Sequence, residues 1–208
     1  MLKPRKEPIQ KRSMETVSAI LEGAAQVLER HGTDGFTTNA IAKQAGVSVG
    51  TLYQYYPDKN AVAAALSRTV RATLVKRIAD AVEAARDQPL REGLRLLATA
   101  ALMGDAAHPR SARSLDALEE HLGLGEEGLT IHQELTQLIA RFLTLRIPGV
   151  PSGALSAVAD DIIAVTKALA DTRLRRQDVI DDAFVERIVA LLMELLRGCQ
   201  ERSLPSHS

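Results

Sequence analysis

The sequence predicts an all-α protein of about nine helices, with three short N-terminal helices joined by one long helix to a larger helical unit. Three observations carry that prediction. Apolar residues recur at three- and four-residue steps along almost the whole chain, no stretch sustains the two-residue alternation of a strand, and the interruptions fall at glycines, prolines and capping residues. With 208 residues, 46% hydrophobic and 25% charged, the chain is long enough to bury a core in one large domain or two small ones.

The first helix is expected to open at Ser13 as N-cap and to bury Val17, Ile20, Leu21, Ala24 and Leu28. Arg30-His31-Gly32 supplies a basic last turn and a glycine just past the end. Thr37 caps a second, short helix, with Phe36 and Ile41 at the spacing of a hydrophobic staple. That helix must stop near Gly46, and a third covers roughly 48–56. Pro57 and Asp58 open the longest helix, in which Val62, Leu66, Val70, Leu74, Ile78 and Val82 follow at steps of four. Run to Arg86 it would be about 40 Å long, at ~1.5 Å per residue. Pro89 closes it, and further helices are predicted at about 90–107, 111–121, 129–146, 154–175 and 179–199. The change from short to long helices places a domain boundary at Pro57, giving units 1–57 and 58–208.

Composition removes several function classes. Formal net charge is zero, although Lys3, Arg5, Lys6, Lys11 and Arg12 make a short basic arm. Cys199 is the only cysteine, so no disulfide forms within one chain, and residues 2–16 lack the apolar segment of a signal peptide. No apolar run reaches the length of a membrane span, so no membrane partner is expected and the expected location is cytoplasmic. His108, His121 and His132 are too widely spaced for a compact metal site. There is no nucleophile elbow and no phosphate-cradling glycine loop. Neither an enzyme nor a cofactor is expected.

The segment IAKQAGVSVGTLYQYY carries the chemistry. A small Ala42 lets a second helix cross closely above it, Gly46 gives the turn its backbone freedom, and Ile41, Val47 and Leu52 lie between the two helices. This is the helix-turn-helix pattern, which projects its second helix into the DNA major groove. On that helix Leu52 and Tyr56 share the inward face. Val49, Gly50, Tyr53 and Gln54 face outward, with Thr51 and Tyr55 at the margins. Tyrosine and threonine hydroxyls can donate to phosphates, Gln54 can pair with an adenine edge, and Lys59 in the next helix's first turn suits a phosphate clamp.

The longer stretch GFTTNAIAKQAGVSVGTLYQYYPDKNAV resembles the DNA-binding signature of the TetR family of bacterial transcriptional regulators. The resemblance is close over about 35–62 and loose beyond; Tyr55 stands where a histidine is frequent, and Pro57 where a polar residue is common. It implies DNA contacts from Thr38, Asn39, Ser48, Val49, Gly50, Thr51, Tyr53, Gln54, Tyr55 and Lys59. It also implies a C-terminal helical domain for ligand binding and dimerisation, a palindromic operator in double-stranded DNA, and a small-molecule inducer that releases a dimeric repressor.

The sequence supports dimerisation separately: Val185, Ile188, Val189, Leu192, Leu195 and Leu196 form an apolar stripe on the last helix. The helix before it is rich in alanine, at Ala157, Ala159, Ala164, Ala168 and Ala170. An intrachain core stripe is the competing reading. Leu102, Met103, Leu138 and Phe142 are the ligand-pocket candidates, with Asp160 and Asp161 as polar groups either of a pocket or of a solvent-facing edge. The alternative function is a helical small-molecule carrier whose helix-turn-helix is idle.

Overall fold

The computed structural model describes residues 11–106, 109–123, 125–176 and 178–203. Nine helices lie within them: α1 (Lys11–His31), α2 (Thr38–Gln44), α3 (Val49–Tyr55), α4 (Lys59–Ala84), α5 (Leu90–Ala106), α6 (Pro109–Leu122), α7 (Gly125–Thr144), α8 (Ser152–Arg175) and α9 (Asp182–Ser203). No strand occurs among the described residues, and no helix there is long and apolar enough to cross a membrane. The chain divides into two compact units, Met1–Ala72 with Ala107–Gly128, and Thr73–Ala106 with Leu129–Ser208.

In the first unit, local chemistry sets the helix ends. Gly32, at φ +62°, ends α1 with its amide bonded to the Leu28 carbonyl at 3.0 Å. Thr37 caps α2 by accepting from the Ala40 amide at 3.1 Å, and Asp58 caps α4 by accepting from the Ala61 amide at 2.8 Å. Phe36 and Ile41, the staple residues, are both buried. Ser13 is not the cap of α1: the helix already runs at Lys11, so Ser13 sits inside its first turns. The core gathers Ile20, Leu28, Phe36, Ile41, Leu52, Tyr56, Val62 and Leu66 from α1–α4, and adds Leu115 and Leu118 from α6.

In the second unit α9 packs on both α5 and α8. Its core contains Ile78, Leu94, Phe142, Leu143, Ile147, Leu155, Ile188 and Leu192. Phe142 is wedged so closely over Gly93 that a Cβ there would lie 2.5 Å from the ring's Cζ. Arg146 stacks 4.0 Å from the centre of that ring and donates to the carbonyls of Ala85 and Arg86, satisfying backbone groups left over at the end of α4.

The step-of-four row of α4 does not make one stripe. Val62 and Leu66 are buried in the first unit and Ile78 in the second, while Val70 between them is 38% exposed. Residues four apart drift by about 40° around a helix, so a long row of them leaves any single face.

The apolar stripe of α9, expected at a dimer surface, faces the interior of its own unit. Val185, Ile188, Val189, Leu192 and Leu196 are buried, Leu195 packs half-buried against the same cluster, and all six belong to the core of their own chain. These side chains were long and apolar enough for either use, and α5 and α8 cover them.

Candidate nucleic-acid interface

The turn between α2 and α3 is built from backbone hydrogen bonds. The Gly46 amide donates to the Lys43 carbonyl at 3.3 Å and the Val47 amide to the Ala42 carbonyl at 3.0 Å, the paired bonds of a Schellman motif. That motif needs a left-handed residue, and Gly46 has φ +69°. Ser48 then caps α3, accepting from the Thr51 amide at 2.9 Å, with its hydroxyl 2.8 Å from that of Thr51.

α3 places Leu52 and Tyr55 inside, with its cap residue Tyr56 buried after them, and Gly50, Tyr53 and Gln54 outside. Tyr53 is 41% exposed, and its hydroxyl lies 3.3 Å from that of Thr38 at the start of α2. Asn39, Ser48 and Lys59 are exposed, Thr38 and Thr51 half-buried, and Val49 packs half-buried on the core. The exposed residues therefore form a surface without an acidic group among the predicted contacts, with Lys59 and Lys43 the exposed cations nearest in sequence on either side. The basic arm lies outside the described residues and side chains.

Tyr55 departs from expectation. It is only 8% exposed, and its hydroxyl is 3.2 Å from the Ser13 Oγ on α1. The reason is helical spacing: Tyr55 stands three residues after the buried Leu52 on α3, and the extended cap residue Tyr56 follows it into the same core. The same bond gives Ser13 its role. Burial also raises the Tyr56 phenol to about 12.

Two features holding this unit together were missed by sequence reasoning. A Cβ on Gly23 would come 2.8 Å from the Ala45 backbone nitrogen, so α1 meets the end of α2 at a point where only glycine fits. Beside it, Gln44 donates to Gln26, Gln26 donates to Glu22 at 2.8 Å, and Arg30 donates to Gln44 at 3.2 Å. Glycine inside a helix with no gap in its apolar pattern was the only available signal.

The ligand-pocket candidates scatter. Leu102 and Phe142 are buried core, Leu138 packs half-buried against that core, and the side chain of Met103 lies outside those described. Asp160 is exposed, accepting from Thr136 at 2.5 Å and lying 3.2 Å from His132 Nε2; Asp161 is also exposed. An open groove of about 360 Å³ runs nearby, lined by His132, Ile163, Ala164, Lys167, Ala168 and Asp171. Among the described residues no three His, Cys, Asp or Glu side chains gather as a metal site. His108 lies outside them.

A helix-turn-helix with a capped, outward-facing second helix on an all-α chain defines a DNA-binding regulator fold. Residues 20–66 match the family model TetR_N and belong to the tetR family of bacterial regulatory proteins. Comparison with curated proteins gives no match. Solved structures share the fold over nearly the whole chain. A putative TetR-family transcriptional regulator from Mesorhizobium loti has TM-score 0.75 and 16% identity, covering 91% of this chain and 98% of its own. A transcriptional regulator from Rhodococcus sp. Rha1 has TM-score 0.73 and 18% identity, covering 88% and 97%. The fatty acid degradation regulator FadR from Bacillus halodurans has TM-score 0.62 and 22% identity, covering 90% and 96%.

Proposed function

We infer that the protein is a ligand-responsive transcriptional repressor that binds a palindromic operator as a dimer and is released by a small molecule. The observation that carries this is the outward face of α3, where Gly50, Tyr53 and Gln54 stand exposed beyond a fully packed core. A glycine in that face allows close approach to the groove floor, Gln54 has the donor–acceptor pair for adenine, and the Tyr53 and Thr38 hydroxyls suit phosphate oxygens. Lys59 adds charge at the first turn of α4, where free backbone amides already favour an anion.

One seven-residue helix buries little surface, so two copies reading half-sites about one DNA turn apart supply the affinity. With the α9 stripe internal, the dimer surface is assigned to the outer faces of α8 and α9, where Ala157, Ala164, Ala168 and Leu191 are exposed. The interior of the second unit is apolar around Leu97, Leu102 and Leu135, and one protein of this fold regulates fatty acid degradation. An apolar inducer is therefore the class assigned here, acting by favouring a domain arrangement that no longer fits both half-sites.

Selection from a random duplex library, followed by fluorescence anisotropy on the enriched sequence, tests the DNA-binding reading. A palindromic consensus is expected, and its affinity should fall steeply with salt. Failure to enrich any duplex, with or without long-chain fatty acids present, would leave the carrier reading standing.

A further inference from the structure

α6 is distant in sequence from α1–α4 yet belongs to the DNA-binding unit. Leu115 and Leu118 are buried in the cluster that contains Ile20, Leu28, Val62 and Leu66. Glu119, the next residue, reaches α4. Ser67 there is 0% exposed, the one polar residue among those described that is classed as buried, and its hydroxyl donates to Glu119 Oε1. One turn later, Arg71 donates from Nη2 to Glu119 Oε2. The Arg71 and Glu119 side chains are 18% and 15% exposed, so the pair is largely shielded from water.

A single carboxylate thus holds two donors four residues apart on one helix. Rotating α4 by one residue would swing both donors by about 100°, and sliding it by one residue would shift both by about 1.5 Å, so either motion breaks both bonds. Arg71 Nη1 is buried without a hydrogen-bond partner, which leaves the guanidinium dependent on Glu119. Its space is kept by Gly128, where a Cβ would come 3.3 Å from Nη2. The first half of α4 is rigid helix from Lys59 onward, and Lys59 lies about 12 Å along the axis from Ser67. A tilt of roughly 10° pivoting at Ser67 moves Lys59 by about 2 Å, more than a phosphate hydrogen bond tolerates.

We propose that Glu119 is a positioning residue for DNA recognition: by bridging Ser67 and Arg71 it fixes the rotation and register of the first half of α4. That in turn sets the position of Lys59 and of the α3–α4 corner that begins at Tyr56. The proposal rests on the DNA-binding reading above.

The test uses the full chain, Glu119→Gln, and the double variant Arg71→Met with Glu119→Met. The double variant removes both charges at similar volume and is therefore expected to fold. Two quantities are read: the ratio of Kd for a scrambled duplex to Kd for the duplex enriched by the parent chain, and amide hydrogen exchange over residues 49–66. The ratio should narrow about tenfold in the folded variants, comparable to losing one base contact. Exchange over 49–66 should quicken while that over 182–203 stays the same. A purely structural role would lower the melting temperature or the active fraction and leave the ratio unchanged. An unchanged ratio in the folded double variant overturns the proposal, whatever its melting temperature. If the parent chain enriches no duplex, the DNA-binding reading fails. That outcome overturns the proposal together with the reading it rests on, whereas a parent chain that enriches a duplex while the folded double variant keeps parental exchange over 49–66 overturns the proposal alone.

Discussion

The hydroxyl of Tyr53 stands 3.3 Å from Thr38 at the surface, whereas that of Tyr55 stands 3.2 Å from Ser13 with its ring buried. Removing each hydroxyl should therefore be read in different assays. Tyr55→Phe should lower unfolding stability by ~0.5–1.5 kcal/mol in urea titration and leave DNA affinity alone. Equal damage to DNA affinity would return Tyr55 to the interface. Tyr56 is buried deeper, and burial raises its phenol to about 12 from an unfolded value of 10. Between those values the folded chain keeps a proton that the unfolded chain releases, so this residue's stabilising contribution is complete below pH 10 and is lost as pH rises toward 12. Tyr56→Phe should flatten the fall in urea midpoint across that window; an unchanged slope would assign the alkaline loss elsewhere. Lys59 is exposed, so Lys59→Ala should weaken binding to every duplex alike and reduce the salt slope by about one phosphate contact. An unaltered slope would exclude a phosphate at Lys59. The place of Tyr55 is legible in the spacing itself, because the position three residues after Leu52 faces inward as well as the position four after it.

Helix ends were the most legible elements because each rests on a local bond. Thr37, Asp58, Gly32 and Gly46 occupy the places their chemistry demands, and the α2–α3 turn follows from them. Contacts between elements were less legible, since a pattern of apolar residues does not name the partner that covers them. Hence the apolar stripe of α9 suits a core as well as a dimer surface and lies inward in its own unit, and nothing in the pattern of α6 points to the first unit. Gly23 marks the limit of sequence reading most sharply. Within a helix, glycine-to-alanine normally gains about 1 kcal/mol. Here the added Cβ would lie 2.8 Å from Ala45 N and 3.1 Å from its Cα, backbone atoms that cannot rotate away. Gly23→Ala should thus destabilise by ~1–3 kcal/mol, and displace the helix-turn-helix enough to weaken DNA binding in the remaining folded protein. A gain in melting temperature would mean that α1 and α2 separate at little cost.

For the whole molecule, the internal placement of the α9 stripe shifts the question of assembly to what stays uncovered. On α8, Ala157, Ala164 and Ala168 recur at steps of seven and four, one face of a helix, and all three are exposed. α9 packs against α8 and leaves Leu191 47% exposed. Alanines in a row let a second helix approach closely, and an exposed leucine gives such a contact apolar area to bury. Asp160, Asp161 and Lys167 are also exposed on α8, so opposite charges are available at the rim. Ala164→Arg places a long cation in the middle of that face without touching the core of its own chain. Sedimentation velocity should then report monomers, with the circular dichroism melt of the monomer still cooperative. Because two linked half-site contacts reinforce each other by ~10²–10⁴ over either alone, affinity for a palindromic duplex should collapse toward that for a single half-site. A variant that remains dimeric would put the interface on another surface. One that becomes monomeric yet binds the palindrome as before would remove the dimer from DNA recognition altogether.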